Sequence, residues 1–300
     1  MIRLWQWLSP IPTVNPQNPM LAVVNARFKG GVWRPFWQTA SLSLIATLIC
    51  LGVFEWQRGI IRDNFGLTVF VVYLLAYPLD FYAVVIATNS HRQWHEWELV
   101  RLTLLPINAV LEALRWGAWR QTLALTGFQF GMRLGLVAWA AVVFVREFRI
   151  LSMRPSEIEV ALLLVIGFLP LAIGYVGDVL WRARMPVHVG VSASIGRLWL
   201  QGAKAPILLV VCWVLQLVIW GVCTAVIMAI VSLILLQLFV ATIELGFMDS
   251  DIPNLLLYLY ICTWILVAMI LLPISHRVVI AAIPGRVIGR EPLPQWYAHD

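Results

Sequence analysis

The sequence predicts an all-α polytopic membrane protein with six transmembrane helices, an N-terminal interfacial helix and a further helix in the connection between the second and third spans. Three observations carry that expectation. Apolar residues make up 61% of the 300 positions and charged ones only 12%, against the ~25% charge typical of a water-facing globule. The chain falls into long charge-free stretches, each at least the ~20 residues that a helix needs to cross a hydrocarbon core. Its 21 lysines and arginines against 15 acids gather in alternate connections, a pattern that orients helices in a membrane.

Taken in order, the opening MIRLWQWLSPIPTVNPQNP is interrupted by prolines before an apolar core can form, so no cleavable signal peptide is expected. Asn18 and Pro19 make a good N-cap and first helical position, and Met20, Val23, Val24 and Phe28 recur at helical spacing beside Arg27 and Lys29. These predict a helix lying at the membrane surface. The first span covers residues 35–54 and the second 65–88, interrupted only by Asp80. The third covers 122–145, interrupted only by Arg133, and the fourth 160–181, with Asp178 near its end. The fifth lies in the uncharged stretch 205–243 and the sixth in 252–275. The whole chain reads as one transmembrane domain, with residues 1–34 before the bundle, 35–275 within it and 276–300 as a tail.

The fifth stretch has 39 residues, about 58 Å as one helix and nearly twice the ~30 Å of hydrocarbon. The distribution of cations decides how often it crosses. With a single crossing, fifteen cations lie on one side, five on the other, and Arg133 lies within the membrane. Two crossings would export Arg277, Arg286 and Arg290 and bring an acidic turn, residues 244–251, to the basic side. The expectation is therefore one span, both termini cytoplasmic, and an extra apolar segment of roughly 15 residues that re-enters or lies at the outer surface.

Several kinds of chemistry find no support in the residues. A P-loop ends in Gly-Lys-Ser/Thr, whereas the two lysines, Lys29 and Lys204, follow Phe28 and Ala203. ATP would have to be harnessed by a partner. His91, His95, His188, His276 and His299 fall in connections or at span ends, which disfavours transmembrane haem. His91 and His95 share a spacing of four but have no third ligand in view, so a solvated face accounts for them better than a metal. Cys50, Cys212, Cys223 and Cys262 lie in apolar runs without a CxxC pair. The arginines form no basic face interleaved with aromatics, which argues against nucleic acid. Most tryptophans flank the spans as an aromatic belt, while Trp139, Trp213 and Trp220 lie deeper, as packing residues.

The candidate functional residues are the charges within the spans, which are costly in hydrocarbon. Asp80 and Arg133 sit at comparable depths on adjacent antiparallel spans and are expected to meet, either as a packing ion pair or as part of a gate or substrate path. Asp178 and Arg182, four apart, are expected to pair locally at headgroup level. The connection NSHRQWHEWELVRLTLLPINAVLEALRWGAWRQ, residues 89–121, mixes paired charges with leucines, stops at Pro106 and restarts after Asn108. That content predicts an amphipathic cytoplasmic helix docking on a protein or on headgroups.

Six spans, cytoplasmic termini, an Asn-Pro pair opening an interfacial helix, and the run Glu-Trp-Glu-Leu-Val-Arg-Leu-Thr-Leu-Leu-Pro in the first cytoplasmic connection together resemble the permease subunit of ABC-2 type transporters. The chain diverges from that pattern in reading MLAVVNARFKGG after Pro19, without an acid, and in placing Leu104 and Leu105 between Thr103 and Pro106. The resemblance implies that Glu96, Glu98, Leu99, Leu102, Thr103 and Pro106 form a coupling helix touching a cytoplasmic ABC ATPase. It also implies a second permease copy or paralogue, and ATP and magnesium on the partner with no cofactor in this chain. On this reading the chain is no enzyme; it moves substrate across the inner (plasma) membrane, among lipids and without nucleic acid. Two other readings stand beside it: a non-transporting scaffold subunit of a larger membrane complex, and an ion-coupled carrier using Asp80 and Arg133.

Overall fold

The computed structural model describes residues 15–28, 31–58, 65–89, 107–148, 155–195, 201–244 and 252–287. These residues form helices and their turns, with no strand among them: α1 (Pro19–Arg27), α2 (Arg34–Arg58), α3 (Phe65–Asn89), α4 (Ile107–Phe148), α5 (Pro155–Arg182), α6 (Arg184–Ile195), α7 (Gln201–Glu244) and α8 (Ile252–Val287). Five of them, α2, α3, α4, α7 and α8, are long and apolar enough to cross a membrane. Their outward faces expose Leu42, Ile49, Phe70, Leu74, Val214, Val218 and Leu233, which water would penalise and lipid does not. The chain is a multi-pass membrane protein. The stretch 160–181 lies within α5, whose side chains are described from Phe168 onward.

Residues 15–28 follow the expected helix start closely. Asn18 caps α1, its Oδ1 accepting from the Met20 amide at 3.1 Å, with Pro19 in the first turn. The same side chain donates to the Ala109 carbonyl at 2.8 Å and to Glu112 Oε2 at 3.3 Å, while the Asn15 amide donates to Glu112 Oε1. At the other end of α1, Asn25 Oδ1 accepts from Trp116 Nε1 (3.1 Å) and Arg120 Nη1 (2.9 Å). Two asparagines thus stitch α1 along the first turns of α4.

Helix α2 runs along α4 at very short range. Gly127, Gly131 and Gly135 recur every fourth residue on α4, and a Cβ at Gly127 or Gly131 would strike the Phe36 or Ala40 carbonyl of α2. Where lipid replaces water, apolar contact alone drives helices together weakly, and small residues that let backbones approach supply the packing.

Two expectations are corrected. The amphipathic helix expected over residues 109–119 is no separate element but the first three turns of α4, which continues unbroken for 42 residues. No glycine or proline interrupts the chain between Trp119 and Phe128 except Gly127, whose role is packing. The uncharged stretch after residue 205 is likewise one helix: α7 runs 44 residues, about 66 Å, with no re-entrant break. Its one internal proline, Pro206, stands in the second turn, and Leu, Ile, Val and Ala sustain the rest. The connection after α5 holds a further helix. Pro186 lacks the amide that would bond back to Arg182, so α5 stops there, Ala183 turns, and α6 begins with the proline in its first turn.

Helix α6 is buried at the centre of one end of the bundle. Val187 and Val191 pack with Met20, Val24, Leu111, Leu114 and Ala87, whereas Met185 and Val189 pack with Val84, Leu209, Trp213 and Ile280. Gly190 lies against Ala87 and the Val84 carbonyl, so α6 sits almost on the α3 backbone. The core at this end is organised around a helix that spans nothing.

Candidate functional site

Spacing of three and four residues brings polar side chains of each helix onto one face. Helix α3 offers Tyr73, Tyr77 and Asp80, α4 offers Gln129 and Arg133, α5 offers Tyr175, Asp178 and Arg182, and α8 offers His276. These faces meet inside the bundle. Arg133 Nη1 donates to Asp178 Oδ2 at 2.9 Å and to the Tyr175 carbonyl at 2.7 Å. Asp178 Oδ1 accepts from His276 Nε2 at 2.9 Å. Arg182 Nε donates to Asp80 Oδ2, and Gln129 Nε2 reaches Asp80 Oδ1 and the Ala76 carbonyl, each at 3.5 Å. Every charged member is 3% exposed or less.

The pairing is therefore crossed relative to expectation. Asp80 bonds Arg182 of α5, and Arg133 bonds Asp178 of α5, so neither the Asp80–Arg133 pair nor the local Asp178–Arg182 pair is formed. Helix α5 presents an acid and a base on one face, and each pairs with a different neighbour, Asp178 with Arg133 of α4 and Arg182 with Asp80 of α3. His276, assigned from sequence to a span end, joins the network because α8 continues well past Ser275. Arg182, expected to pair with Asp178 at headgroup level, is instead buried and bonded to Asp80.

Aromatic rings complete the charge balance. The Arg133 guanidinium lies 4.9 Å from the Tyr73 ring centre and 4.8 Å from that of Tyr175. Arg182 lies 4.0 Å from Tyr77 and 5.4 Å from Trp213, contacts of the cation–π kind. Even so, Arg133 Nε and Nη2, Arg182 Nη2 and His276 Nδ1 are buried without a hydrogen-bond partner. Two acids and two guanidiniums balance in charge, but the donors exceed the acceptors. A buried network of this kind holds α3, α4, α5 and α8 in one register.

A second polar group lies on α6. The Arg184 carbonyl accepts at 2.9 Å from His188 Nδ1, which fixes the protonated ring nitrogen. Burial, followed by the nearby charge of Arg115, pushes the His188 pKa down to about 3. Burial, with Arg277 and Arg115 adding repulsion, lowers that of Arg184 to about 9.

Of the residues predicted from sequence, Asp80, Arg133 and Asp178 are brought into one network. Glu96, Glu98, Leu99, Leu102, Thr103 and Pro106 lie outside the described residues. Among the described residues no group of three or more His, Cys, Asp or Glu side chains is placed to hold a metal ion. No protein-family model, curated protein or solved structure matches the chain.

Proposed function

We propose that the chain is the membrane-spanning permease subunit of an ABC transporter, working with a second permease and a separate cytoplasmic ATPase. In this reading it has six spans, both termini face the cytoplasm of a cell whose plasma membrane it occupies, and it does no covalent chemistry. ATP and magnesium belong to the partner.

The observation that carries this reading is the unbroken α4. The segment holding Glu96, Glu98, Leu99, Leu102, Thr103 and Pro106 feeds directly into Ile107, and one helix then runs from there to Arg133, about 39 Å away. A push delivered to that segment is transmitted by a stiff element, braced by α1, to the charged network in the membrane. Two arrangements of that network, biased by nucleotide in the partner, give alternating exposure of a path between helices.

The scaffold reading shares the buried ion pairs but has no use for a lever. Replacing Glu96 and Glu98 together by alanine separates the two. The permease reading expects substrate movement in reconstituted vesicles to be lost while the partner still hydrolyses ATP; unchanged coupling contradicts it.

A further inference from the structure

The surplus of donors in the buried network has a definite shape. Arg133 bonds through Nη1 alone, to Asp178 Oδ2 at 2.9 Å and to the Tyr175 carbonyl at 2.7 Å. Its Nε and Nη2, whose N–H bonds run parallel along the other edge of the guanidinium, are buried without a hydrogen-bond partner. Arg182 Nη2 is in the same condition. Both acids of the network are already engaged at both oxygens. Asp178 Oδ1 accepts from His276 Nε2 at 2.9 Å and Oδ2 from Arg133 Nη1, while Asp80 Oδ2 accepts from Arg182 Nε and Oδ1 faces Gln129 Nε2. The two guanidiniums lie over one ring, their central carbons 4.9 and 5.6 Å from the centre of Tyr73.

A buried N–H without an acceptor is costly, and more so on a charged group. Two parallel N–H groups match two oxygens of one anion, and arginine is the side chain that presents them. A monoanion suits the place better than a dianion. The guanidinium charges are already balanced by Asp80 and Asp178, so each further charge must be taken from water into a low dielectric. The surroundings fit an apolar body behind a carboxylate. The Tyr73 and Tyr175 rings lie 4.9 and 4.8 Å from the Arg133 guanidinium, and Tyr77 stands 6.1 Å from Tyr73 and 4.6 Å from Trp213. Ligand sites are built of such apolar walls around a few polar groups. Each acid-bearing helix also has a proline near the network, Pro78 in α3 and Pro170 in α5, and a proline inside a helix is a point at which it can bend to admit a ligand.

We propose that the free Nε–Nη2 edge of Arg133, with Arg182 over the same tyrosine, binds the carboxylate of a small monoanion with an apolar body. Binding needs this chain alone and holds under both the permease and the scaffold reading; only movement of a bound carboxylate across the membrane rests on the former.

The full chain is purified in neutral detergent, and binding of radiolabelled benzoate at neutral pH is measured by equilibrium dialysis against empty micelles, with benzyl alcohol as the uncharged counterpart and inorganic phosphate as competitor. The unmodified protein is expected to bind benzoate about tenfold more tightly than benzyl alcohol, the worth of one charge-assisted contact. Arg133→Lys keeps the charge and loses the fork, and is expected to weaken benzoate binding by a similar factor. The paired variant Arg133→Met with Asp178→Leu strands no charge and is expected to abolish the binding, which keeps the test open if the lysine variant fails to fold. Arg34→Gln, at an exposed position opening α2, is expected to leave it unchanged. Equal binding of benzoate and benzyl alcohol by the unmodified protein, or benzoate retained by the paired variant, overturns the proposal. Displacement of benzoate by an equimolar amount of phosphate overturns a monocarboxylate as the ligand.

Discussion

Arg133 and Asp178 are each 1% exposed, and their hydrogen bond is 2.9 Å long. Deleting one member leaves the other charge stranded in a low dielectric, a loss of about 3–5 kcal/mol, whereas replacing both by apolar residues of similar size is close to neutral. Asp178→Asn is therefore expected to lower stability in mixed micelles by about that amount, and Arg133→Met with Asp178→Leu to recover most of it. A double variant as unstable as the single one contradicts this. If the double variant folds but transports nothing, the network serves movement as well as packing. His188 supplies a different signature. Its folded pKa, about 3, lies below the ~6.5 of an unfolded histidine. Between those values the unfolded chain binds a proton that the folded one refuses, so stability falls as the pH drops from above 6.5 towards 3. The slope approaches about 1.4 kcal/mol per pH unit. Unfolding measured at pH 7.5 and 5.5 is expected to show a smaller acid loss in His188→Gln than in the unmodified protein.

At the scale of elements, the α2–α4 contact depends on side chains that are absent. Gly131→Leu drives a side chain into the Ala40 carbonyl and Ser43 of α2; overpacking of this kind costs about 1–3 kcal/mol. Gly52→Leu and Gly221→Leu, where nothing lies within 4 Å, are expected to be near neutral, and thermal unfolding in detergent compares them. The small-residue row was present in the sequence, but its partner was not, because a spacing of four identifies a face without naming what meets it. Lengths and caps were the legible part: Asn18 and Pro19 mark the start of α1, a charge-free run marks the core of α2, and a run interrupted only by Asp80 marks that of α3. Continuity was illegible. A charge such as Arg120 suggests a helix leaving the membrane, yet α4 passes through that residue because Asn25 and the Phe28 ring, 4.3 Å away, provide for it. Helix α6 was hidden for the opposite reason. Flanking cations resemble a cytoplasmic connection, and its valines face two separate core clusters rather than a single stripe.

For the molecule as a whole, Asp80, Arg133, Asp178, Arg182 and His276 gather into one paired set inside the bundle among the described residues. Composition announced the membrane, and the positions of Asp80 and Arg133 announced a buried polar site, while Asp178 was expected at headgroup level; which partner each chooses depends on the face that α5 presents to its neighbours. A single stiff α4 joins the region expected to meet a partner to that site, and this continuity is the physical basis of the permease reading. Its most direct test is to purify the tagged chain in mild detergent and identify by mass spectrometry what is bound to it. The permease account predicts a cytoplasmic ATPase with its own P-loop, retained by the unmodified chain and reduced when Glu96 and Glu98 are both alanine. Recovery with integral membrane subunits alone, in both cases, contradicts it.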